Sequence, residues 1–229
     1  MLRKQKAISK REIKEDKLVT FYFQTRKWLE DNRRLASYMI GIPIALVLIG
    51  FLWTQRQKDA EIKTATQLAK VIAYYDGGKY DQAINGVAQE GTLGLLQIVD
   101  ENTSTPSGKM AAFFLGNAYF SLREYDKALN AFQRASFGEK NLMASTYAGI
   151  ASCYEAKGES EQAAEYFEKA ASKNMVQLQA PENLLRAAAN YSTAGKKGKA
   201  AELLNVLKRE FPSSALARDA DRFIAQFGS

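Results

Sequence analysis

Residues Leu115–Ala135 read LGNAYFSLREYDKALNAFQRA. Small residues stand at Gly116, Ala128 and Ala135, and rings at Tyr119 and Phe132. Ser121-Leu122-Arg123-Glu124 divides the stretch. It reads as two antiparallel helices joined by a turn. The small residues let the helices approach, and the aromatic ones fill the space between successive pairs.

The element returns. Ala128, Phe132 and Ala135 are followed by Ala163, Phe167 and Ala170, then by Ala200, Leu204 and Leu207, at intervals of 35 and 37 residues. Twelve residues before each leading alanine stand Gly116, Ala151 and Ala188, and three after those Tyr119, Tyr154 and Tyr191. Ala156-Lys157-Gly158-Glu159 and Ala194-Gly195-Lys196-Lys197-Gly198 supply the later turns. One such pair cannot cover its own apolar face, so pairs stack into a solenoid. The pattern resembles the tetratricopeptide repeat, whose period is about 34 residues and which places a proline near its end, as Pro212 does here. The resemblance implies an all-α chain: about four helix pairs and a C-terminal capping helix over residues 79–229.

The first unit admits two registers. Tyr80-Asp81-Gln82-Ala83-Ile84 resembles the start of a second helix. Leu95-Leu96-Gln97-Ile98-Val99 instead aligns with Leu203–Leu207, which puts Thr92 in the small position, 36 residues before Ala128. The second register is preferred, with Gly86–Gly91 as an irregular turn. At the other end, Ser213 or Ser214 caps a single helix over Ala215–Phe227, striped by Leu216, Ala220, Phe223, Ile224 and Phe227.

Upstream lies a different kind of segment. Leu35–Gln55, LASYMIGIPIALVLIGFLWTQ, holds no charge over 21 residues. As a helix it is about 31 Å long, matching a hydrocarbon core of about 30 Å. Tyr38 and Trp53 sit near its ends, where interfacial aromatics belong. No small-residue cleavage pattern follows, so it reads as a retained transmembrane helix. The net charge is +7, but residues 1–34 carry 11 Lys/Arg against 5 Asp/Glu, so the basic character belongs to the tail and no nucleic-acid surface is indicated on the body. Arg26, Lys27, Arg33 and Arg34 outweigh Arg56, Lys58 and Lys63 across the span, which predicts a cytoplasmic N-terminus. Within the tail, Leu18, Phe21, Tyr22, Thr25, Trp28 and Leu29 recur at helical spacing. They suggest either an amphipathic helix on the membrane surface or an extension of the span. Residues 56–78 read as a stalk helix.

No catalytic constellation emerges. There is no histidine, so His-ligated metals and His general bases are excluded, and the one cysteine, Cys153, sits on an apolar helix face as a small core residue. Gly195-Lys196-Lys197-Gly198-Lys199 lacks phosphate-loop spacing. The reading is of a non-enzymatic protein without cofactor, metal or small-molecule substrate.

In tetratricopeptide proteins the first helix of each pair lines a concave groove. The matching positions are Met110, Phe113, Phe114, Asn117 and Phe120, then Ser145, Ala148, Gly149, Ser152 and Glu155, then Glu182, Leu185, Arg186, Ala189 and Ser192. The carboxylate clamp of some members is matched only at Asn117, its lysine position being Phe113. Met110, Phe113, Phe114 and Phe120, with Leu185 and Arg186 further along, fit apolar peptide segments, although the N-terminal helix or a dimer partner could fill the groove instead. The layout, with the segments Gly91–Lys109 and Ala180–Leu185, is similar to YfgM-type ancillary subunits of the SecYEG translocon. That resemblance implies a bacterial inner membrane, a periplasmic C-terminal domain, and translocon subunits or periplasmic chaperones as partners. A scaffold for another membrane complex, in outer-membrane assembly, cell division or respiratory or photosynthetic chemistry, is the alternative. Within the span, Ser37, Gly41 and Ala45 form a small-residue line able to admit a neighbouring helix.

Overall fold

The structure is a computed structural model, and it describes residues 10–173 and 179–228. It comprises two compact units, Met1–Arg56 and Gln57–Ser229. Residues 1–9 of the basic tail lie outside the described part.

The first unit holds helix α1, Lys10–Asp31, and the start of helix α2, Arg33–Asp76. Only Asn32 separates them. Its backbone N–H and its side-chain amide both donate to the Trp28 carbonyl, at 2.9 and 3.1 Å. α2 passes through Pro43 without interruption. Among the described residues it is the one helix long and apolar enough to cross a membrane, with a mean hydropathy of 2.3 over its most apolar window. Its apolar side chains point outward: Leu35, Ile44, Val47 and Trp53 are all exposed.

The second unit is a stack of helix pairs. Residues 57–76 of α2 form the first helix of the stack, supplying Thr64, Leu68 and Val71 to its interior. Helices α3 (Tyr80–Asn85) and α4 (Leu95–Asn102) follow. Then come α5 (Pro106–Ser121) with α6 (Tyr125–Arg134), α7 (Lys140–Ala156) with α8 (Ser160–Lys173), and α9 (Ala180–Thr193) with α10 (Lys197–Glu210). Local sequence explains the boundaries. Thr105 caps α5 by accepting from the Gly108 N–H, with Pro106 at the first helical position, where its missing donor costs nothing. Glu139 caps α7 by accepting from the N–H groups of Asn141 and Leu142, and these bonds hold its carboxyl below the usual range.

The four turns inside the pairs are copies of one another. The N–H of Lys79, Glu124, Glu159 and Lys196 donates back to the carbonyl of Tyr74, Tyr119, Tyr154 and Tyr191. The residue before each donor has positive φ: Gly78 at 70°, Arg123 at 62°, Gly158 at 77° and Gly195 at 77°. Four residues after each donor stands a fully buried alanine: Ala83, Ala128, Ala163 and Ala200.

This equivalence corrects the register of the first pair. Ala83, not Thr92, holds the small position. Thr92 lies on a strand, in a hairpin that interrupts the second helix: β1 (Gly86–Val87) pairs antiparallel with β2 (Thr92–Leu93) across the short turn Ala88–Glu90. Both sequence alignments are locally right, one before the insertion and one after it. Ala83 precedes Ala128 by 45 residues and Thr92 precedes it by 36, and the difference of nine is the length of the insertion, residues 86–94. Its neck is closed by two glycines. A Cβ on Gly94 would lie 2.2 Å from the Ile84 carbonyl oxygen and 2.5 Å from the Gly86 nitrogen, and Gly86 itself has φ +80°. After the neck, α4 resumes the helix and buries Leu95, Ile98 and Val99.

The C-terminal end also differs from expectation. The single helix over Ala215–Phe227 is broken at Asp219 into α11 (Ala215–Arg218) and α12 (Ala220–Gly228). Ser214 caps the first of these through its side chain. Apart from the nine-residue insertion, the chain is the all-α solenoid that its repeats imply.

The core runs along the stack between first and second helices. Phe132 of α6 sits where Gly116 of α5 and Gly149 of α7 leave room. A Cβ on either glycine would meet the Phe132 ring at 2.7 Å. Gly116→Ala and Gly149→Ala therefore each lower stability by about 1–3 kcal/mol through overpacking. Gly138→Ala serves as the control, since a Cβ there meets nothing within 4 Å. Thermal unfolding followed by circular dichroism reads the difference; equal melting temperatures for all three would refute the wedge. Arg123 is exposed and occupies the turn position where the other three residues are glycine. Arg123→Gly raises stability by roughly 0.5–1 kcal/mol, the left-handed strain relieved less the backbone entropy that glycine adds to the unfolded chain.

Candidate functional site

The first helices of the successive pairs are residues 57–76 of α2, then α5, α7 and α9. All five groove residues expected on α5 are half-buried. Phe113 has its ring centroid 5.8 Å from that of Phe132, 6.1 Å from Phe114 and 6.5 Å from Phe137. Phe114 meets Tyr75 at 5.1 Å, and Tyr75 meets Tyr80 at 5.6 Å. Phe120 packs on Tyr125 at 5.6 Å. Most of these contacts are edge-to-face, the arrangement ring quadrupoles favour. The aromatic half of the groove is thus a partly filled cluster. Met110 packs against the same core. Asn117 spends its side-chain amide on the Phe113 carbonyl, at 3.2 Å within its own helix.

Tyr75 and Ile72 pack against this cluster and were not expected there, because residues 56–78 read as a stalk. Their signal was present: Val71 and Tyr74 stand twelve and nine residues before Ala83, the spacing of Gly116 and Tyr119 before Ala128.

Leu185 and Arg186 lie on α9, grouped with different neighbours. Leu185 packs against the core of the last repeats. The Arg186 guanidinium pairs with Glu155 of α7 and lies 4.1 Å over the Phe167 ring. Glu155 also accepts from the buried Asn190 amide at 2.5 Å. Beside them is a shallow pocket of about 220 Å³ lined by Ser145, Ala148, Gln179, Glu182, Asn183 and Arg186. The face is therefore graded from aromatic on α2 and α5 to polar on α7 and α9. At the end of α9 the Ser192 hydroxyl donates to the Phe227 carbonyl of α12 at 2.9 Å.

The groups that could carry chemistry are engaged structurally. Cys153 is fully buried, and burial pushes its thiol up to about 12, so it stays protonated at neutral pH and is a poor nucleophile. Lys199 bonds the Tyr191 hydroxyl at 2.6 Å and Glu168 at 3.0 Å, and these partners hold its ammonium above the usual range. Among the described residues, no group of three His, Cys, Asp or Glu side chains could hold a metal ion.

Models of the tetratricopeptide repeat match residues 104–172 and 182–214. This is a tetratricopeptide-repeat fold. The match to residues 104–172 spans the α5–α6 and α7–α8 pairs, and the match to 182–214 spans α9 and α10. Among solved structures, the TPR-like repeats of a Podosopora anserina protein described as a putative kinesin light chain are similar. Their TM-score is 0.51 at 15% identity, covering 71% of this chain and 83% of that one. A variant of the same repeats gives 0.52 at 16%, with the same coverage. At such identity the likeness concerns the fold alone. No curated protein matches the sequence.

The small line Ser37, Gly41 and Ala45 lies on α2 in the first unit, with all three residues exposed. A Cβ on Gly41 meets nothing within 4 Å. The Ser37 hydroxyl donates to the Arg34 carbonyl at 2.8 Å and so carries no unsatisfied donor.

Proposed function

We propose that this chain is a membrane-anchored scaffold of the bacterial inner membrane that holds a protein partner at the translocon or its periplasmic chaperones. Tetratricopeptide repeats indicate a protein–protein interaction scaffold, and that part of the reading is carried by the repeats themselves. The anchor rests on one observation. The uncharged run Leu35–Gln55 keeps its apolar side chains exposed on a helix that continues without a break to Asp76. Exposed apolar surface of that extent is costly in water and favourable in lipid. The cations Arg26, Lys27, Arg33 and Arg34 support a cytoplasmic tail and a periplasmic body.

The groove takes an apolar peptide segment toward its α2–α5 end, where Phe114 packs beside Tyr75 and Met110, Phe114 and Phe120 are only half-buried. Phe113 contributes mainly by holding the cluster together, because it packs on Phe132. Leu185 and Arg186 border the polar end. In the span, Ser37, Gly41 and Ala45 offer a close-approach face to a neighbouring helix.

A photo-crosslinking residue placed at Phe120, and in a second strain at Gly41, should capture translocon subunits or a periplasmic chaperone in intact cells. Recovery of one other stable membrane complex, without translocon subunits, would overturn the partner and favour a scaffold of that complex. Protease added to spheroplasts should cut the body and spare the tail. A protected body with a digested tail would reverse the orientation.

A further inference from the structure

We infer that helix α1 lies in the headgroup region of an anionic phospholipid leaflet, held there by its exposed aromatic side chains and by the cations that flank it in residues 1–34. The inference rests on the anchor reading above. In α1 the side chains of Leu18, Phe21, Tyr22, Trp28 and Leu29 are exposed, Phe21 at 68%. At 3.6 residues per turn they share one side of the helix, with Thr25 between them. Lys17, Arg26, Lys27, Glu30 and Asp31 share the remainder with Val19, Thr20, Phe23 and Gln24.

Two observations select lipid as the occupant. The first is continuity. α1 ends one residue before the helix that carries the apolar run, within the same compact unit, and Asn32 alone interrupts them. The charges Arg33 and Arg34 mark the edge of the span directly after it. The second is the spread of apolar and basic groups. Val19 and Phe23 are exposed off the main stripe, at 52% and 60%. A partner helix covers one stripe. A bilayer interface takes a helix to a depth of about 5–10 Å, comparable to the helix diameter of about 10–12 Å, and so covers side chains around much of its circumference. The surplus of 11 cations over 5 anions in residues 1–34 is complementary to anionic headgroups.

The chain has two tryptophans, one in α1 and one in the run, so each can be made the sole reporter. The full chain is reconstituted into phosphatidylcholine vesicles with or without phosphatidylglycerol, using lipids brominated on the upper acyl chain. In Trp53→Phe, the remaining Trp28 should be quenched by the bromines, and the quenching should fall when phosphatidylglycerol is omitted or salt is raised. Trp28 left open to aqueous iodide and blind to bromine would overturn the inference. Shielding from both quenchers that grows with the protein-to-lipid ratio would also overturn it, in favour of a protein contact. In Trp28→Phe, Trp53 reports on the anchor. Quenched Trp53 beside unquenched Trp28 refutes only the position of α1, whereas unquenched Trp53 refutes the anchor itself.

Discussion

Phe132 is held between two glycines that belong to different helix pairs. Gly116 lies on the partner helix of its own pair and Gly149 on the first helix of the next, and neither position has room for a Cβ beside the ring. One side chain therefore closes a pair and joins it to its successor. The next pair repeats the arrangement with different means. Phe167 is fully buried below Arg186 of the following pair, and Ala151 and Ala188 stand where Gly116 does. In the last pair Leu204 takes the ring's place, and α11 and α12 pack on the same cluster. Stability in such a stack is a sum of pair and neighbour contributions, so loosening Phe132 affects two neighbours and no more distant pair.

Ion pairs run along the same joints. Lys157 of the third turn reaches Asp126 of the preceding pair at 2.8 Å, Lys196 of the fourth turn reaches Glu161, and Arg134 reaches Asp100 at 2.7 Å. Most of these groups are substantially exposed, where a pair is worth about 0–1 kcal/mol. Their contribution is one of register more than energy. Each cation can meet its carboxylate only if successive pairs are set at one offset, an offset the aromatic wedges already favour.

The repeats were legible because their key positions are held by small residues, and close helix approach demands a small residue at the same point of every pair. Ala128, Ala163 and Ala200 meet that demand, and all are fully buried. The first pair was obscured by nine inserted residues. A comparison by spacing can follow Ala83 or Leu95 but not both, since hairpin 86–94 changes the offset between them. The groove was less legible than the fold. Spacing identifies which face a side chain occupies, not whether a neighbour has taken it. Phe113 lies on the expected face with its ring spent on Phe132 and Phe137, Asn117 bonds its own helix, and Arg186 is held by Glu155. The partners of Phe113 and Arg186 come from other helices and from the loop before α7, so no pattern local to α5 or α9 contains them.

Helix α2 changes character along one backbone. Up to Gln55 the run carries no charge. From Arg56 onward polar and charged residues return, and the helix becomes one-sided. Thr64, Leu68 and Val71 turn inward to the stack while Lys63, Thr66 and Lys70 face out. Glu61 marks the change. Its carboxylate accepts from the Ser107 N–H at 3.0 Å and from the Ser107 hydroxyl at 2.6 Å, satisfying donors at the start of α5 and favoured there by the helix dipole. The first helix of the solenoid is thus fastened to the second pair from its opening turn, and Tyr75 meets the Phe114 ring of that pair from the same helix that carries the apolar run.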